Sequence, residues 1–349
     1  MRTGSLELFQ QYEEYLALST QRNCIDGTSH LVNFTNCERS CHNDTSSCRD
    51  IIDWPEDTRD GYVLSDVSTV INAFAIAGLR AMAVMARESG YENRTYDEEA
   101  SELQEGMRNI LWSSPNGTFF DGEERTHTAW HAQTIPLWVG NIVNDTKHMF
   151  EFLKSKGMAG SVYGAFGFLM GLYNADYDRG HFALDMMTSC NPNASWCHMI
   201  NVGATATMEA WTRAQKPNLS WSHPWATAPI TAIVRGMMGI RALEPKYTQF
   251  TFKPQIGSLT FADLTIPTMS GSIRAVVSGD STIATNATLY FNLGMRARIC
   301  MPVQDQSDVL YIDGVETRGW YEAGGGYACV SDIEGKGVSI GRSIRAKNL

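Results

Sequence analysis

The hydrophobic pattern of this 349-residue chain changes its period once, close to Pro245, and that change limits the possible folds more than any other feature. Before Pro245, apolar residues recur every three or four positions, as on one face of a helix. This spacing predicts about nine helices in a row, at residues 5–17, 67–89, 97–112, 128–139, 146–156, 163–173, 181–188, 203–214 and 226–239.

After Pro245, apolar and polar residues alternate in short runs that are separated by turn residues, as in half-buried strands. The runs lie at residues 247–252, 259–266, 271–277, 287–292, 296–300, 309–312 and 327–330. We therefore expect a helical domain over residues 1–246 and an antiparallel β-sandwich over residues 247–349.

The helical segments differ in how much apolar surface they carry. Residues 67–89 are apolar over a broad surface, as in a helix packed on several sides, whereas residues 97–112 are polar on most of their surface. Alternating buried and outer helices indicate helical hairpins around an axis, as in an α/α toroid. A closed toroid of six hairpins needs twelve helices, so we expect this toroid to be incomplete at its N-terminal side.

Charge argues against a nucleic-acid partner, and the apolar pattern argues against a membrane span. The chain has 28 Lys and Arg against 38 Asp and Glu, with no basic stripe that could follow a phosphate backbone, so nucleic acid is not expected as a partner. The longest apolar stretch, residues 67–85, is interrupted by Arg80, and we predict no membrane span.

Asn-x-Ser/Thr acceptors and cysteines favour a secreted protein, although the first residues contain no apolar segment of a signal peptide. The acceptors are Asn33, Asn43, Asn93, Asn116, Asn144, Asn193, Asn218 and Asn286. The eight cysteines fall into local groups, which indicates disulfides and an oxidising compartment. These groups are Cys24, Cys37, Cys41 and Cys48, then Cys190 and Cys197, then Cys300 and Cys329, the last two a plausible cross-strand pair.

Metal or cofactor binding is not expected. Cys37, Cys41 and His42 can be fitted to a zinc site, but the surrounding Ser-, Thr- and Asn-rich stretch better suits a disulfide-linked surface loop. His127 and His131 are four residues apart, yet the Glu of an H-E-x-x-H motif is absent. The chain also lacks the phosphate-binding motifs G-x-G-x-x-G and Walker A, and the nucleophile elbow G-x-S-x-G.

Three segments place charged groups among aromatic residues, a mixture that suits sugars because aromatic faces cover a pyranose while charged groups bind its hydroxyls. Residues 53–62 contain Asp53, Trp54, Arg59 and Asp60. From composition alone, a solvated turn with an Asp–Arg pair explains this segment equally well.

The second segment, residues 201–211, holds Glu209 within a predicted helix, with Trp211 in the same segment and Trp196 nearby. Apolar surroundings disfavour the charged form of a carboxyl group, which suits a general acid or base; the alternative is an exposed helix glutamate. In the third segment, His223 lies between two tryptophans and can bind a substrate hydroxyl or be a core histidine.

These segments, in this order, resemble the α-L-rhamnosidases of glycoside hydrolase family 78. The most specific pieces are G-A-T-x-T-x-E-A-W at residues 203–211 and G-I-R-A-L-E-P at residues 239–245, and residues 155–165, 222–229 and 252–259 also match. The resemblance covers residues 50–275 and implies a six-hairpin toroid followed by a β-domain, together with a carbohydrate substrate. It implies that Glu209 is the general base and that the sugar contacts include Asp53, Trp54, Arg59, Asp60, His131, Trp196, Trp211 and His223.

The family is inverting, so it also needs a general acid on the opposite face of the sugar. In relatives this acid is the glutamate of an R-D-E-x-x-G-W segment, which does not occur in this sequence. Three hypotheses follow: an α-L-rhamnosidase-like glycosidase, a catalytically inactive sugar-binding homologue, or another six-hairpin exo-glycosidase or lyase. An open toroid would also expose apolar helix faces, so we expect self-association of the isolated chain.

Overall fold

The protein was analysed as a computed structural model that describes residues 5–20, 22–36, 52–91, 95–174, 179–279, 284–303, 308–317, 319–321, 326–335 and 337–343. The chain divides into two compact units. The helical unit contains Ser5–Gly171 and Cys190–Ala226, and the strand-rich unit contains Leu172–Ser189 and the chain from Thr227 onwards. The domain boundary at residue 246 stays a prediction.

Eight of the nine predicted helical segments contain a helix. The α-helices in the described ranges are α1 Glu7–Ser19, α2 Thr69–Glu88, α3 Tyr96–Gly106, α4 Trp130–Val139, α5 Lys147–Lys156, α6 Gly164–Asn174, α7 Arg179–Thr188, α8 Trp196–Asn201 and α9 Ala228–Thr231. Wider π-helical turns continue α3 over Met107–Leu111 and α9 over Ala232–Met237.

The prediction of a helix over residues 203–214 was wrong. The helix lies before this segment, as α8, and it begins at Ser195, whose side chain accepts a hydrogen bond from the His198 N–H. Gly203 has a φ of 87° and ends α8, because a residue with a side chain rarely adopts this conformation. The N–H groups of Gly203 and Ala204 bond back to the carbonyls of Ile200 and Met199. Glu209 therefore lies on irregular backbone.

The long helix α2 packs against α1, α3 and α4 in the helical unit. By length and composition Thr69–Glu88 could cross a membrane, with a mean hydropathy of 1.6 over an 18-residue window. However, 61% of that window is buried inside the protein, and Ala73, Ile76 and Leu79 have no exposed surface. Burial of this kind is typical of the core helix of a soluble protein.

The strands form two large sheets in the strand-rich unit and a short hairpin, β1 Trp112–Ser113 with β2 Thr118–Phe119, in the helical unit. The remaining strands are β3 Arg241–Ala242, β4 Gln249–Phe252, β5 Phe261–Thr268, β6 Gly271–Gly279, β7 Ala284–Tyr290, β8 Arg296–Pro302, β9 Val309–Ile312, β10 Val315–Thr317, β11 Trp320–Tyr321, β12 Tyr327–Glu334 and β13 Val338–Ser343. The sheet orders are β10-β9-β13-β7-β6-β5 and β11-β12-β8-β4-β3.

The two sheets form the predicted β-sandwich. Burial alternates along β4, where Phe250 and Phe252 are buried and their neighbours are partly exposed. Phe250 of β4 contacts Phe291, which directly follows β7 of the other sheet, with ring centroids 5.3 Å apart. Neighbouring strands are antiparallel except for β4 and β8, which pair in parallel. The sequence pattern did not indicate this pair, because period-two alternation does not distinguish parallel from antiparallel pairing.

Two predicted disulfides are present. Cys300 and Cys329 are direct partners on β8 and β12, and they form a cross-strand disulfide. Cys190 and Cys197 form the second, which joins the start of α8 to the preceding loop. In the N-terminal cysteine group, Cys24 is disulfide-bonded, whereas Cys37, Cys41, His42 and Cys48 lie outside the described residues. Within the described ranges, no group of three His, Cys, Asp or Glu side chains could hold a metal ion.

Candidate active site

Asp53 lies at the centre of a buried hydrogen-bond network before α2. Its Oδ1 accepts hydrogen bonds from the Trp54 N–H at 2.8 Å and from the Ser161 hydroxyl. Its Oδ2 accepts one from the Ser161 N–H at 2.9 Å and lies 2.7 Å from Nε2 of His131. Four contacts on one carboxylate hold the loop of residues 53–62 against α4 and the start of α6.

The side chains of Asp53 and His131 are fully enclosed, with exposures of 0% and 1%. Arg59 completes this Asp53 cluster, since its Nε donates to the Asp53 carbonyl at 2.9 Å. Because the Asp53 carboxylate already accepts four hydrogen bonds, it holds the loop in place in this structure. Direct contact of Asp53 or His131 with a sugar stays a prediction.

Trp54 and Asp60 are less buried than Asp53. Trp54 is 44% exposed. Asp60 caps the start of α4, since its Oδ2 accepts a hydrogen bond from the Trp130 N–H at 2.8 Å, and its Oδ1 lies 2.9 Å from Nζ of Lys156. A carboxylate at a helix start satisfies an N–H that has no partner within the helix.

Tyr62 anchors the other end of the loop. Its hydroxyl donates to the Asp121 carbonyl at 2.6 Å and lies 2.8 Å from the Ser68 hydroxyl. Burial raises the pKa of the Tyr62 phenol, so the group is a hydrogen-bond donor at neutral pH.

Glu209 is held by two irregular segments that run side by side. The Glu209 N–H donates to the Ser220 carbonyl at 2.9 Å, and the His223 N–H donates to the Thr207 carbonyl at 2.8 Å. The Ser220 N–H then bonds to Oε2 of the Glu209 carboxylate at 2.8 Å. The side chain is 17% exposed, so one edge of the carboxylate reaches solvent.

The expectation of apolar surroundings for Glu209 was wrong. Besides the Ser220 N–H, the ammonium group of Lys216 lies 3.7 Å from Glu209 Oε1. Glu209 therefore has a backbone hydrogen-bond donor and a cation as neighbours. The 3.7 Å separation exceeds hydrogen-bond distance, so Lys216 leaves Oε1 able to accept a proton.

An aromatic surface lies beside Glu209. The Trp225 indole N–H donates to the Glu209 carbonyl at 3.2 Å, and its ring lies 4.4 Å from the His223 ring and 5.5 Å from the Tyr163 ring. Tyr163 is 52% exposed. These three rings offer the flat, partly apolar surface on which a pyranose packs.

Trp211 and Trp196 belong instead to the core behind Glu209. Their rings meet edge to face at 5.0 Å, and Trp211 is buried, with its indole N–H bonded to the Gly160 carbonyl at 2.9 Å. Trp196 is partly buried and donates to the Ala226 carbonyl at 2.8 Å. Their predicted role as walls of the sugar site stays a prediction.

Residues 156–164 connect the Asp53 cluster to the Glu209 segment. On one side, Lys156 pairs with Asp60 and Ser161 bonds to Asp53. On the other, the Gly160 carbonyl accepts the Trp211 indole N–H, and the Tyr163 ring contacts Trp225. At Gly160, a side chain would collide with the Trp130 ring, at 2.3 Å from its nearest carbon, so this close approach requires glycine.

Sequence reasoning noted residues 155–165 but assigned them no site role, and it also missed Lys216, Ser220 and Trp225. The sequence signal at Ser161 is a serine before an apolar helix: its Oγ accepts hydrogen bonds from the N–H groups of Tyr163 and Gly164 at the start of α6. The approach of Lys216 to Glu209 has no local sequence signal, because it depends on the course of irregular backbone.

A run of helices followed by a β-sandwich is the organisation of the six-hairpin glycosidase class. Residues 7–236 match the family described as the bacterial alpha-L-rhamnosidase 6 hairpin glycosidase domain, and the chain belongs to this family. A comparison with curated proteins gave no match.

Solved structures of α-L-rhamnosidases have the same fold. The structure from Dictyoglumus thermophilum superposes with a TM-score of 0.72 at 14% identity, covering 98% of this chain and 38% of that one. The Streptomyces avermitilis enzyme, solved with L-rhamnose, gives 0.69 at 15% identity, covering 97% and 31%. The family 78 rhamnosidase of Bacillus sp. GL1 gives 0.60 at 19% identity, covering 79% and 29%. The chain thus spans about a third of the length of these relatives.

Proposed function

We propose that the chain provides the general base and part of the sugar site of an α-L-rhamnosidase-like, inverting glycoside hydrolase. One observation carries the proposal. The Ser220 N–H holds the Glu209 carboxylate at Oε2, and Lys216 lies 3.7 Å from Oε1. The Glu209 carbonyl accepts a hydrogen bond from Trp225, whose ring contacts the exposed ring of Tyr163. A fixed carboxylate beside aromatic rings can orient a water molecule toward a bound sugar.

In the proposed reaction, Glu209 Oε1 takes a proton from water as the water oxygen bonds to the anomeric carbon. The glycosidic bond breaks on the opposite face of the ring, and the leaving oxygen takes a proton from a general acid. The Ser220 N–H orients the carboxylate before the reaction, and Lys216 lies 3.7 Å from Oε1. We place Trp54, His223, Arg59 and Asp60 around the bound rhamnose, with Asp53 and His131 supporting them.

The general acid is not assigned. Because the R-D-E-x-x-G-W segment is absent from this sequence, a sugar-binding protein without turnover is the second candidate function. The two candidates differ in one chemical respect. A site with a base but no acid can still hydrolyse substrates whose leaving group departs without protonation, whereas a purely binding site hydrolyses neither kind of substrate.

The test measures release from 2,4-dinitrophenyl α-L-rhamnoside, whose leaving group needs no proton, and from methyl α-L-rhamnoside, whose leaving group does. We expect the 349-residue chain to hydrolyse the dinitrophenyl substrate, and Glu209→Gln to lower the rate by about 10³-fold or more. NMR of the first product should show the β-anomer. Undiminished activity of Glu209→Gln would remove Glu209 from the mechanism, and L-rhamnose binding without any turnover would favour the binding function.

We also propose that the protein is secreted and glycosylated. Five acceptor asparagines are exposed: Asn116, Asn144, Asn193, Asn218 and Asn286. Asn33 is partly buried, and Asn43 and Asn93 lie outside the described residues. The disulfides Cys190–Cys197 and Cys300–Cys329 support an oxidising compartment. A mass decrease after peptide-N-glycosidase treatment of the protein from its source would test the glycosylation.

We also propose that the chain self-associates through α1. Helix α1 buries Phe9, Glu13 and Ala17 and exposes four large apolar side chains on another face: Leu8, Tyr12, Tyr15 and Leu18. An exposed apolar stripe of this length favours contact with a second copy of the chain.

A further inference from the structure

A groove of about 600 Å³ lies on the outer face of the six-stranded sheet in the strand-rich unit. It is lined by Ser272, Arg274, Tyr290, Phe291, Asn292 and Leu293, which come from β6, from β7 and from the turn that follows β7. Its volume is within the range of small-ligand sites, about 300–1,000 Å³. We propose that this groove is a second carbohydrate-binding site and that it takes a neutral saccharide.

Tyr290 provides the surface on which a sugar ring would pack. It is the register partner of Arg274 on β6, and it is 45% exposed. On its other side lies Gly337, where a side chain would approach the tyrosine ring to 3.3 Å. The tyrosine ring thus lies close to the sheet backbone at Gly337, and the guanidinium carbon of Arg274 lies 5.8 Å from its centroid. The exposed part of Tyr290 remains available to a ligand. Leu293, 68% exposed, adds apolar surface to the groove.

Arg274 provides directed hydrogen-bond donors. Its Nε and Nη2 donate to the two carboxylate oxygens of Asp263, at 3.0 and 2.6 Å, in a bidentate pair. The pair uses two of the five guanidinium N–H groups and fixes the plane of the others. The remaining N–H groups can therefore donate to ligand hydroxyls without further ordering of the side chain.

Acceptors are present in the same groove. Asn292 is oriented by a hydrogen bond from its Nδ2 to the Ser270 carbonyl at 3.0 Å, which leaves its Oδ1 as an acceptor. Ser272, exposed on β6, has a hydroxyl that can donate or accept. Paired donors and acceptors next to an aromatic ring match a sugar, whose hydroxyls both donate and accept.

The charge of the groove decides between a neutral and an anionic ligand. Asp263 compensates the positive charge of Arg274, and the guanidinium holds the pKa of the Asp263 carboxyl below its usual value, so the pair persists at neutral pH. A phosphate- or sulfate-binding site requires uncompensated positive charge, which these lining residues do not supply. A neutral saccharide is therefore the ligand that the groove fits.

The test uses the full chain carrying Glu209→Gln, so that turnover at the hydrolytic site does not remove ligand. Binding of this variant is measured on an array of neutral mono- to tetrasaccharides. The array also carries sulfated and sialylated glycans as anionic probes. The best neutral saccharide is then titrated by calorimetry. We expect Tyr290→Ala to weaken its binding by about tenfold or more, because aromatic stacking contributes a large part of sugar affinity. Phe261→Ala, an exposed aromatic of β5 in the same sheet but outside the groove, should leave binding unchanged.

Arg274→Ala is the second variant, since its exposed side chain can be removed without touching the buried sheet face, and it should also weaken binding. Circular dichroism and the melting temperature confirm that each variant is folded. Absence of neutral saccharide binding would overturn the proposal. Equal binding by Tyr290→Ala, Arg274→Ala and the parent would also overturn it, as would a preference for the anionic probes. The measurement is independent of rhamnoside hydrolysis, so the failure of one proposal is distinct from the failure of the other.

Discussion

Asp53 Oδ2 lies 2.7 Å from Nε2 of His131, and both side chains are buried in the helical unit. The two residues are 78 positions apart in sequence, and Ser161, 108 positions from Asp53, bonds to the same carboxylate. This one carboxylate therefore joins the loop of residues 53–62, helix α4 and the start of α6. Its removal would leave the His131 imidazole and the Ser161 hydroxyl without their partner inside the protein.

We expect Asp53→Ala to lower the free energy of unfolding by about 3–5 kcal/mol, the range measured when one member of a buried pair is removed. Urea denaturation measures the change. Glu56→Ala in the same loop is the matched control, because the Glu56 side chain is 84% exposed, and it should stay within about 0.5 kcal/mol of the parent. Equal stability of Asp53→Ala and Glu56→Ala would show that the network does not hold the loop.

Lys216 is expected to act through Glu209. Lys216→Met removes the cation 3.7 Å from Glu209 Oε1, and we expect kcat/KM for the dinitrophenyl rhamnoside to fall by about tenfold, or 1.4 kcal/mol. Lys154→Met, an exposed lysine of α5, is the control and should leave the rate unchanged.

A double-mutant cycle separates this role from a general structural effect. If Lys216 supports the Glu209 carboxylate, adding Lys216→Met to Glu209→Gln should cause no further loss. An equal tenfold loss in both backgrounds would mean that Lys216 acts independently of Glu209.

Trp225 is expected to contribute to sugar affinity. In the Glu209→Gln background, we expect Trp225→Ala to weaken L-rhamnose binding by about tenfold, because it removes the ring between His223 and Tyr163. Trp225→Phe keeps an aromatic face but loses the N–H that bonds to the Glu209 carbonyl, and it should retain most of the affinity. Trp320→Ala, an exposed tryptophan of β11, is the control. Unchanged affinity in Trp225→Ala would place the sugar elsewhere.

The turn at Asp26 gives a prediction of pH dependence. Hydrogen bonds from the backbone N–H groups of Ser29 and Thr28, with further bonds from the side chains of Ser29 and Asn36, lower the pKa of the Asp26 carboxyl from 3.8 to about 2. Because the pKa is lower in the folded state, the ionised carboxylate stabilises the fold at pH values above 3.8. That contribution is lost as the pH falls from 3.8 toward 2.

Asp26→Asn should therefore lower the melting temperature near neutral pH, and the difference from the parent should shrink between pH 4 and pH 2. Thermal unfolding monitored by circular dichroism at several pH values measures it. Asp57→Asn, at an exposed carboxylate, should show no such convergence. A difference between Asp26→Asn and the parent that does not vary with pH would mean that the turn does not depend on the carboxylate charge.

The sequence predicted the elements of this fold better than it predicted the backbone at the site. The period of the hydrophobic residues and the positions of turn residues predicted eight helical segments and most of the strands, because these signals are local. The Cys300–Cys329 pair was predictable because it depends on regular strand pairing. No helix forms over residues 203–214, because Gly203 adopts a positive φ and ends α8.

The sequence predicted which types of residue form the candidate site. It did not predict the contacts between them. The sugar-binding composition of residues 53–62 did not reveal that the Asp53 carboxylate is enclosed by Ser161 and His131, since these partners lie far away in sequence. Likewise, Glu209 was chosen from its motif, but the Lys216 and Ser220 contacts that support a base role depend on irregular backbone. Local patterns do not predict long-range contacts of this kind.

The exposed stripe of α1 gives the last prediction. Leu8, Tyr12, Tyr15 and Leu18 are exposed on α1, whereas Phe9 and Ala17 are buried, so polar substitutions at the exposed positions should not disturb the core. We expect the parent chain to show a concentration-dependent increase in mass by light scattering, and Leu8→Gln combined with Tyr15→Gln to reduce it. Tyr321→Gln, at an exposed tyrosine of β11, is the control. A monodisperse monomer at all concentrations for the parent chain would show that this apolar face does not mediate association.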